Sequence, residues 1–274
     1  MSYSQPPPGY NPKGYQAVPQ SEHHLPPNQS HAASSSDELF EPRVEGDVDP
    51  DDFKFGVTVE QSSPEIRLMF LRKVYTVLFI QLLGTTAVGA IMSTQGVASW
   101  LQQNQWAFIV PLFGSLITMG FLYWKRHSHP TNLFLLGLFT LLESFSIGAV
   151  VTYVDQRVVL QAMMLTVFTF LGLTLFTLQS RYDFSSLGGW LFGGLMILVG
   201  TGMVSLFFPY NHTFDLVTAV AGCVIFSLYI VYDTWLIQRR LSPEEWVLAN
   251  LSLYLDILNL FISILRVLNG TRED

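Results

Sequence analysis

The sequence has few charges and only one cysteine. Only 13% of its 274 residues are charged, against about 25% in ordinary soluble proteins, so a soluble domain of this size would lack the charge to cover its surface. The lone Cys223 excludes a disulfide scaffold and a cysteine-rich metal site. No signal peptide is visible in the Pro/Ser/Gln-rich N-terminus, so we expect the first apolar segment to direct membrane insertion.

The first 65 residues are rich in Pro, Ser, Gln, Asn, His and acids and poor in aliphatic side chains. Such a segment cannot bury enough apolar surface to offset its chain entropy, so residues 1–65 are predicted to form a disordered cytosolic tail. The tail contains one short motif of the PPxY type, formed by Pro7, Pro8 and Tyr10. A polyproline II segment of this kind can dock on a WW domain, such as those of ubiquitin ligases; the alternative is a merely disordered tail.

Hydrophobic residues make up half of the chain, and from Val74 onward they form seven long runs. Each run has roughly the 17–25 residues that cross about 30 Å of hydrocarbon. The runs cover about 74–94, 106–124, 132–153, 158–178, 187–208, 214–238 and 246–268. Because the runs lack polar faces, we predict an all-α polytopic membrane protein rather than a soluble helical one. Its seven-helix domain covers 66–270, and 271–274 form a short C-terminal tail.

Lys and Arg in the short connections predict the orientation of the spans. The connections on the side of the N-terminus carry Arg67, Arg72, Lys73, Lys125, Arg126, Arg181, Arg239 and Arg240. The opposite side carries Arg157, Arg272 and Arg266. This bias predicts a cytosolic N-terminus and, after seven spans, a lumenal C-terminus, unless the last span is re-entrant.

Two carboxyl groups, Asp233 and Asp256, lie within the sixth and seventh runs, which the short link RRLSPEEW joins. A charged side chain at the centre of the bilayer costs about 2.5–3.5 kcal/mol on insertion scales, so each acid needs an explanation. The midpoint between them falls in the link, so the two acids are predicted to reach similar depth and to face each other across a helix hairpin. Such a pair cannot ionise twice cheaply and would titrate as a unit. It can serve as a proton-controlled gate or a weak Ca²⁺ site, or it can be a neutral structural pair.

A polar stripe follows one face of the seventh run, with residues four before and three and seven after the aspartate. Its members are Ser252, Asp256, Asn259 and Ser263. Since a polar stripe facing lipid would be costly, it is predicted to face other helices or water, which makes Ser252, Asn259 and Ser263 possible pore-lining residues. On the sixth run, Gly222 shares the face of Asp233 and permits a close approach. Glu143 in the third run is either a pore-lining acid or a hydrogen-bonded structural one.

The stretches IFSLYIVYDTWLI around Asp233 and LSLYLDILNLFISILRVL around Asp256 resemble the signature of the Bax inhibitor-1 family, also called the transmembrane Bax inhibitor motif family. The segments IRLMFLRKVYTVLFIQLLGTTAV, LLESFSIGAVV and RYDFSSLG resemble its lifeguard branch. The resemblance covers the chain from about Glu65 to its end.

The resemblance implies a fold in which six helices surround a central seventh, and a pH-sensitive calcium leak that contributes to calcium homeostasis. It implies that Asp233 and Asp256 share a proton and gate the pore, and that Arg126 in FLYWKRHSH matches a latch arginine of bacterial relatives. It also implies roles in suppressing cell death and in endoplasmic-reticulum stress and the unfolded protein response, with partner proteins from those pathways. The endoplasmic reticulum is the expected membrane, with vacuole, Golgi and mitochondrion as alternatives.

Three other functions share features with this sequence. An intramembrane aspartyl protease also carries acids on consecutive spans, but the second acid here follows Leu253-Tyr254-Leu255 instead of a GxGD motif, and no PAL triplet follows. A seven-helix receptor would have the opposite topology. A membrane scaffold that acts through protein partners without ion flux remains open. We expect no enzymatic activity, no cofactor and no nucleic-acid partner, with lipid, Ca²⁺ and protons as the interacting species.

Overall fold

A computed structural model describes residues 58–104, 106–205, 207 and 211–272. The predictions made for residues 1–57, including the motif of Pro7, Pro8 and Tyr10, lie outside the described residues, as do positions 273 and 274. Within the described ranges the regular elements are all helical. They are α1 (Pro64–Met92), α2 (Gln95–Gln103), α3 (Trp106–Trp124), α4 (Thr131–Val151), α5 (Gln156–Gln179), α6 (Leu187–Ser205), α7 (His212–Arg239), a 3₁₀ turn (Pro243–Glu245) and α8 (Trp246–Gly270).

Seven of these helices, all except α2, are long and apolar enough to cross a membrane. Large apolar side chains cover their outer surfaces; Trp190 is 84% exposed and Phe134 is 73% exposed. A surface of this kind is stable only where hydrocarbon surrounds it, because every large side chain left in water would forfeit its burial free energy. The chain is therefore a multi-pass membrane protein, as the composition predicted.

The last helix, α8, is the centre of the bundle, as the family resemblance implied. In its most apolar stretch 56% of the residues are buried, a larger share than in any other spanning helix. It packs directly against α1, α4, α5 and α7, while α3 packs on α4 and α6 packs on α7. A helix that is buried on most sides can hold polar groups away from lipid, and this position is where the sequence places Asp256.

The structure differs from the prediction at the start of the first span and in the stretch that follows it. The first helix begins at Pro64, ten residues before the predicted apolar run, because the Ser63 side chain caps it and proline suits its first turn. The polar stretch after it, predicted as a break, forms the short helix α2. Trp100 of α2 packs edge-on against Trp106 with 5.6 Å between ring centroids, and Gln102 donates a hydrogen bond to the Thr152 carbonyl.

The segment just before α1 is attached to the link between α7 and α8, although the predicted disordered tail included it. Val59 is fully buried, and its N–H donates to the Leu241 carbonyl at 2.8 Å. Next to it, Glu60 forms an ion pair with Arg239 at 3.0 Å. The bundle therefore includes these residues, which attach to the hairpin that carries both aspartates.

Candidate functional site

The two aspartates lie side by side in the antiparallel hairpin of α7 and α8. Asp233 is 8% exposed and Asp256 is 6% exposed. The carboxyl group of Asp233 lies within hydrogen-bonding reach of the Asp256 carboxyl and of the Ser252 hydroxyl. The hairpin thus brings together the two acids that equal spacing from the link had predicted to meet.

The link sets the register of this hairpin. Ser242 caps the 3₁₀ turn and accepts from the Glu244 N–H, Pro243 fixes the first position, and the Glu245 carboxylate accepts from the Ser242 N–H. This reciprocal cap fixes the residue at which the turn ends, so α8 starts at Trp246. Because the rise per residue is about 1.5 Å in both helices, a fixed turn also fixes the relative depth of the two acids.

A hydrogen bond between the two carboxyl groups would need a proton from the pair itself. Oδ2 of Asp256 is buried and receives no hydrogen bond from any described residue. Two ionised carboxylates are acceptors only, so they can join through a hydrogen bond only when one of them is protonated. The geometry therefore fits a pair in which one of the two carboxyl groups is protonated.

The polar stripe of α8 does not act as one unit. Ser252 lies beside Asp233, as described above. Asn259 is exposed and its side-chain NH₂ donates to the Leu255 carbonyl of its own helix at 2.9 Å. Ser263 is buried, donates to the Asn259 carbonyl at 2.7 Å and faces Gly222 of α7. Only Ser252 of the three thus shares the immediate surroundings of the acid pair.

Glu143 lies at a different place in the bundle. It is half-buried on α4, and its carboxyl group lies within hydrogen-bonding reach of the Ser115 hydroxyl on α3. This contact belongs to the packing of α3 on α4, and α3 is one of the two spans outside the ring that touches α8. The position fits the structural alternative for Glu143 better than the pore-lining one.

Arg126 lies at the end of the bundle that carries the basic connections. Its guanidinium is 3.8 Å from the Glu245 carboxylate, stacks over the Tyr123 ring at 4.8 Å and donates to the His127 ring at 3.0 Å. Arg126 therefore contacts the link that precedes α8, and not the aspartate pair within the membrane.

A second polar cluster, which the sequence did not single out, ties the centre of α8 to two other spans. The Tyr254 side chain is fully buried, and its hydroxyl lies 2.7 Å from the Thr85 hydroxyl of α1. Thr85 lies in turn 3.0 Å from the Ser144 hydroxyl of α4. The Thr85 and Ser144 hydroxyls donate to carbonyls of their own helices, which leaves Thr85 as an acceptor for the Tyr254 hydroxyl. The cluster therefore stabilises the central helix without an unpaired hydroxyl donor.

An ion pair closes the opposite end of the hairpin. Arg266 of α8 contacts the Asp215 carboxylate in the first turn of α7. One turn away, the His212 ring lies 3.0 Å from the Gly270 carbonyl. Asp215 and Arg266 are not equally spaced from the midpoint of the link, so the argument that paired the aspartates would not have predicted this contact.

The part of the chain that the structure describes offers few ligands for a tightly bound metal. Among the described residues no group of three or more His, Cys, Asp and Glu side chains could hold a metal ion. The aspartate pair alone offers two carboxyl groups, whereas Ca²⁺ usually takes 6–8 oxygens. Any cation that enters would keep most of its water.

Comparisons with known proteins give the family of this chain. The family model described as "Inhibitor of apoptosis-promoting Bax1" matches residues 67–273. Protein lifeguard 4 of Mus musculus is 45% identical over 224 residues, which cover 81% of this chain and 94% of the relative. The Golgi anti-apoptotic protein of vaccinia virus (strain Lister) is also 45% identical over 224 residues, which cover 81% of this chain and 94% of the relative. Bax inhibitor 1 of Schizosaccharomyces pombe is 39% identical over 258 residues, 94% of this chain and 96% of the relative. The chain therefore belongs to the Bax inhibitor-1 family, in its lifeguard-like branch.

Proposed function

We propose that this protein suppresses cell death as a pH-sensitive calcium leak in an intracellular membrane, with Asp233 and Asp256 as the gate. Relatives named Bax inhibitor 1 and Golgi anti-apoptotic protein support the cell-death role. The contribution to calcium homeostasis and to the stress response follows from the leak, because the leak sets the filling of the store.

The buried carboxyl pair is the observation that carries this proposal. With one shared proton the pair joins α7 to α8 near the centre of the bundle. When that proton leaves, two negative charges in a poorly hydrated space repel each other and attract a cation. Because two carboxyl groups hold Ca²⁺ weakly, the ion can pass on instead of being stored.

Flux measurements in proteoliposomes test the gate. The purified protein is reconstituted into vesicles with an enclosed calcium indicator, and calcium entry is followed as the outer pH is raised from mildly acidic to mildly alkaline. The wild type is expected to leak faster at higher pH. Asp233→Asn and Asp256→Asn are expected to remove that pH dependence, because an amide cannot release the shared proton.

Glu143→Gln is the matched control, since it neutralises another intramembrane acid that lies beside Ser115 on α3 instead of in the pair. Its pH profile should follow the wild type. Arg126→Gln in the same assay should raise the leak under acidic conditions if its contact with Glu245 restrains the link. A wild-type profile that is flat across pH, or that Glu143→Gln changes as much as Asp233→Asn, contradicts the gate.

The scaffold alternative makes an opposite prediction in cells. If suppression of cell death needs the leak, the two asparagine variants lose both flux and protection when they replace the wild type in cells challenged with a death stimulus. If they keep full protection without flux, the protein acts through partners. A fluorescent fusion would show whether the membrane is the endoplasmic reticulum, which we propose, or the Golgi, which the name of the viral relative favours.

A further inference from the structure

A cleft of about 400 Å³ opens between α1 and α5 on the side of the bundle. Both helices pack on α8, but they make little contact with each other. The walls include Gly89 of α1 and Met163 of α5, and the floor is formed by Ile257, Leu258 and Phe261 of α8. The volume lies within the range of about 300–1,000 Å³ that small-molecule sites occupy.

The walls of the cleft are apolar even where the sequence has hydroxyl groups. Thr85, Thr86, Thr166 and Ser93 each donate to a carbonyl of their own helix, at 2.8–2.9 Å. With those donors occupied, the side chains turn mostly methyl and methylene groups to the cleft. A stable water needs 2–4 polar partners, and this cleft offers too few along most of its length. A hydrocarbon chain matches the lining better.

The cleft also lies where a lipid chain would enter it. The α1 and α5 residues that line it belong to the second half of α1 and the first half of α5, so it opens in the half of the bundle away from the basic connections. Leu160 on its rim is 61% exposed, so the cleft is accessible from the side. If the cleft were empty, the side chains that line it would lose dispersion contacts, which an acyl chain would supply. Close packing of this kind stabilises contacts between molecules inside a membrane.

Charge at the mouth fits a phosphate group. The α5 helix begins there with Gln156, which lines the cleft, and the exposed Arg157 follows in the same turn. Asp155 caps this helix and its carboxylate accepts the Arg157 N–H at 2.7 Å, so the group on this turn that favours an anionic oxygen is the Arg157 guanidinium. We propose that the cleft binds one acyl chain of a membrane phospholipid, with the lipid phosphate at the Gln156–Arg157 turn.

This site is independent of the proposed ion flux. The bound chain would lie against Ile257 and Leu258, which directly follow Asp256 on the central helix. The chain would fill the gap between α1 and α5, so the lipid would be part of the packing of the bundle instead of a transient contact at its surface.

Photolabelling tests the site. The full-length protein is reconstituted in phosphatidylcholine vesicles that contain an analogue with a diazirine in one acyl chain, illuminated, digested and mapped by mass spectrometry. Labels are expected to concentrate on the cleft-facing residues of α1 and α5. Gly89→Phe should lower this labelling by about tenfold, a change that corresponds to roughly 1.4 kcal/mol of binding free energy. A Cβ at position 89 meets nothing within 4 Å, so the ring can occupy the cleft without a clash at its base.

Gly84→Phe is the matched control. It adds the same ring to the same helix, about 140° around the axis, at a position that is also open within 4 Å and does not line the cleft. Ala90→Phe is a second filling variant in case Gly89→Phe does not give a monodisperse protein. Arg157→Gln should lower labelling by the phospholipid more than labelling by a diazirine fatty acid.

Three results would overturn the proposal. Labels spread evenly over all outward-facing helices would mean ordinary solvation by lipid. Equal losses in Gly89→Phe and Gly84→Phe would mean that the effect does not come from the cleft. Stronger labelling by the free fatty acid than by the phospholipid, unaffected by Arg157→Gln, would mean a different ligand. None of these results would bear on the calcium assay, so the two proposals fail separately.

Discussion

Replacing Gly222 by alanine probes the closest approach of α7 and α8. A Cβ at position 222 would lie 2.5 Å from Oγ of Ser263 and 3.2 Å from its Cβ. Rotation of the serine hydroxyl would relieve the first contact, but it would break the hydrogen bond to the Asn259 carbonyl and leave the second contact in place. The added methyl group therefore has to push the two helices apart.

The expected cost follows from overpacking. Inserting a methyl group into a closely packed contact costs about 1–3 kcal/mol. Alanine also has a higher helix propensity than glycine by up to about 1 kcal/mol, which offsets part of this cost. The control Gly200→Ala measures that gain alone, because a Cβ at position 200 of α6 meets nothing within 4 Å. We expect Gly222→Ala to be less stable than Gly200→Ala by about 1–3 kcal/mol.

Thermal unfolding in detergent micelles, followed by intrinsic fluorescence, measures this difference. For a chain of this size 1 kcal/mol corresponds to a shift in Tm of about 2–4 °C. Ser263→Gly removes both clashing atoms, so the double variant Gly222→Ala/Ser263→Gly should recover about 0.5–3 kcal/mol relative to the sum of the single changes. Strict additivity, or a Gly222→Ala protein that melts with the Gly200→Ala control, would refute the close approach.

Two smaller perturbations test other contacts by the same unfolding assay. Tyr254→Phe should lower the free energy of unfolding by about 0.5–1.5 kcal/mol, because one buried hydrogen bond is lost. The Thr85 hydroxyl would still donate to a carbonyl of its own helix. An unchanged Tm would argue against the cluster. Glu60→Gln should cost no more than about 0.2–1 kcal/mol, because its ion pair with Arg239 is partly exposed. That loss should shrink in high salt, and a larger, salt-independent loss would mean that the contact is not mainly electrostatic.

The sequence predicted the features that depend on local pattern. Run length identified the seven spans, and equal spacing from a short link placed Asp233 opposite Asp256. Both arguments need only the helical rise and the position of the turn. Gly222 was predicted to allow a close approach because it is small and shares the helix face of Asp233, and the contact with Ser263 confirms that prediction.

Features that depend on tertiary neighbours could not be predicted in this way. Nothing in the pattern distinguishes Thr85 from other hydroxyl residues, and its partner Tyr254 lies 169 residues further along the chain. The α2 helix was missed because its polar residues look like a loop, while its stability depends on packing of Leu101 in a small apolar cluster. The start of α1 was placed too late because basic residues in its first turns interrupt the apolar run without interrupting the helix.

The fastening of Val59 and Glu60 to the link also has a practical consequence for shortening the protein. A deletion that stops before Thr58 leaves the anchored residues in place, whereas one that removes them takes away the buried Val59 side chain, its bond to Leu241 and the partner of Arg239. Shortened forms with ends a few residues apart should therefore differ in stability. A molecule that pulls on the N-terminal tail would therefore pull, through Val59 and Glu60, on the α7–α8 hairpin.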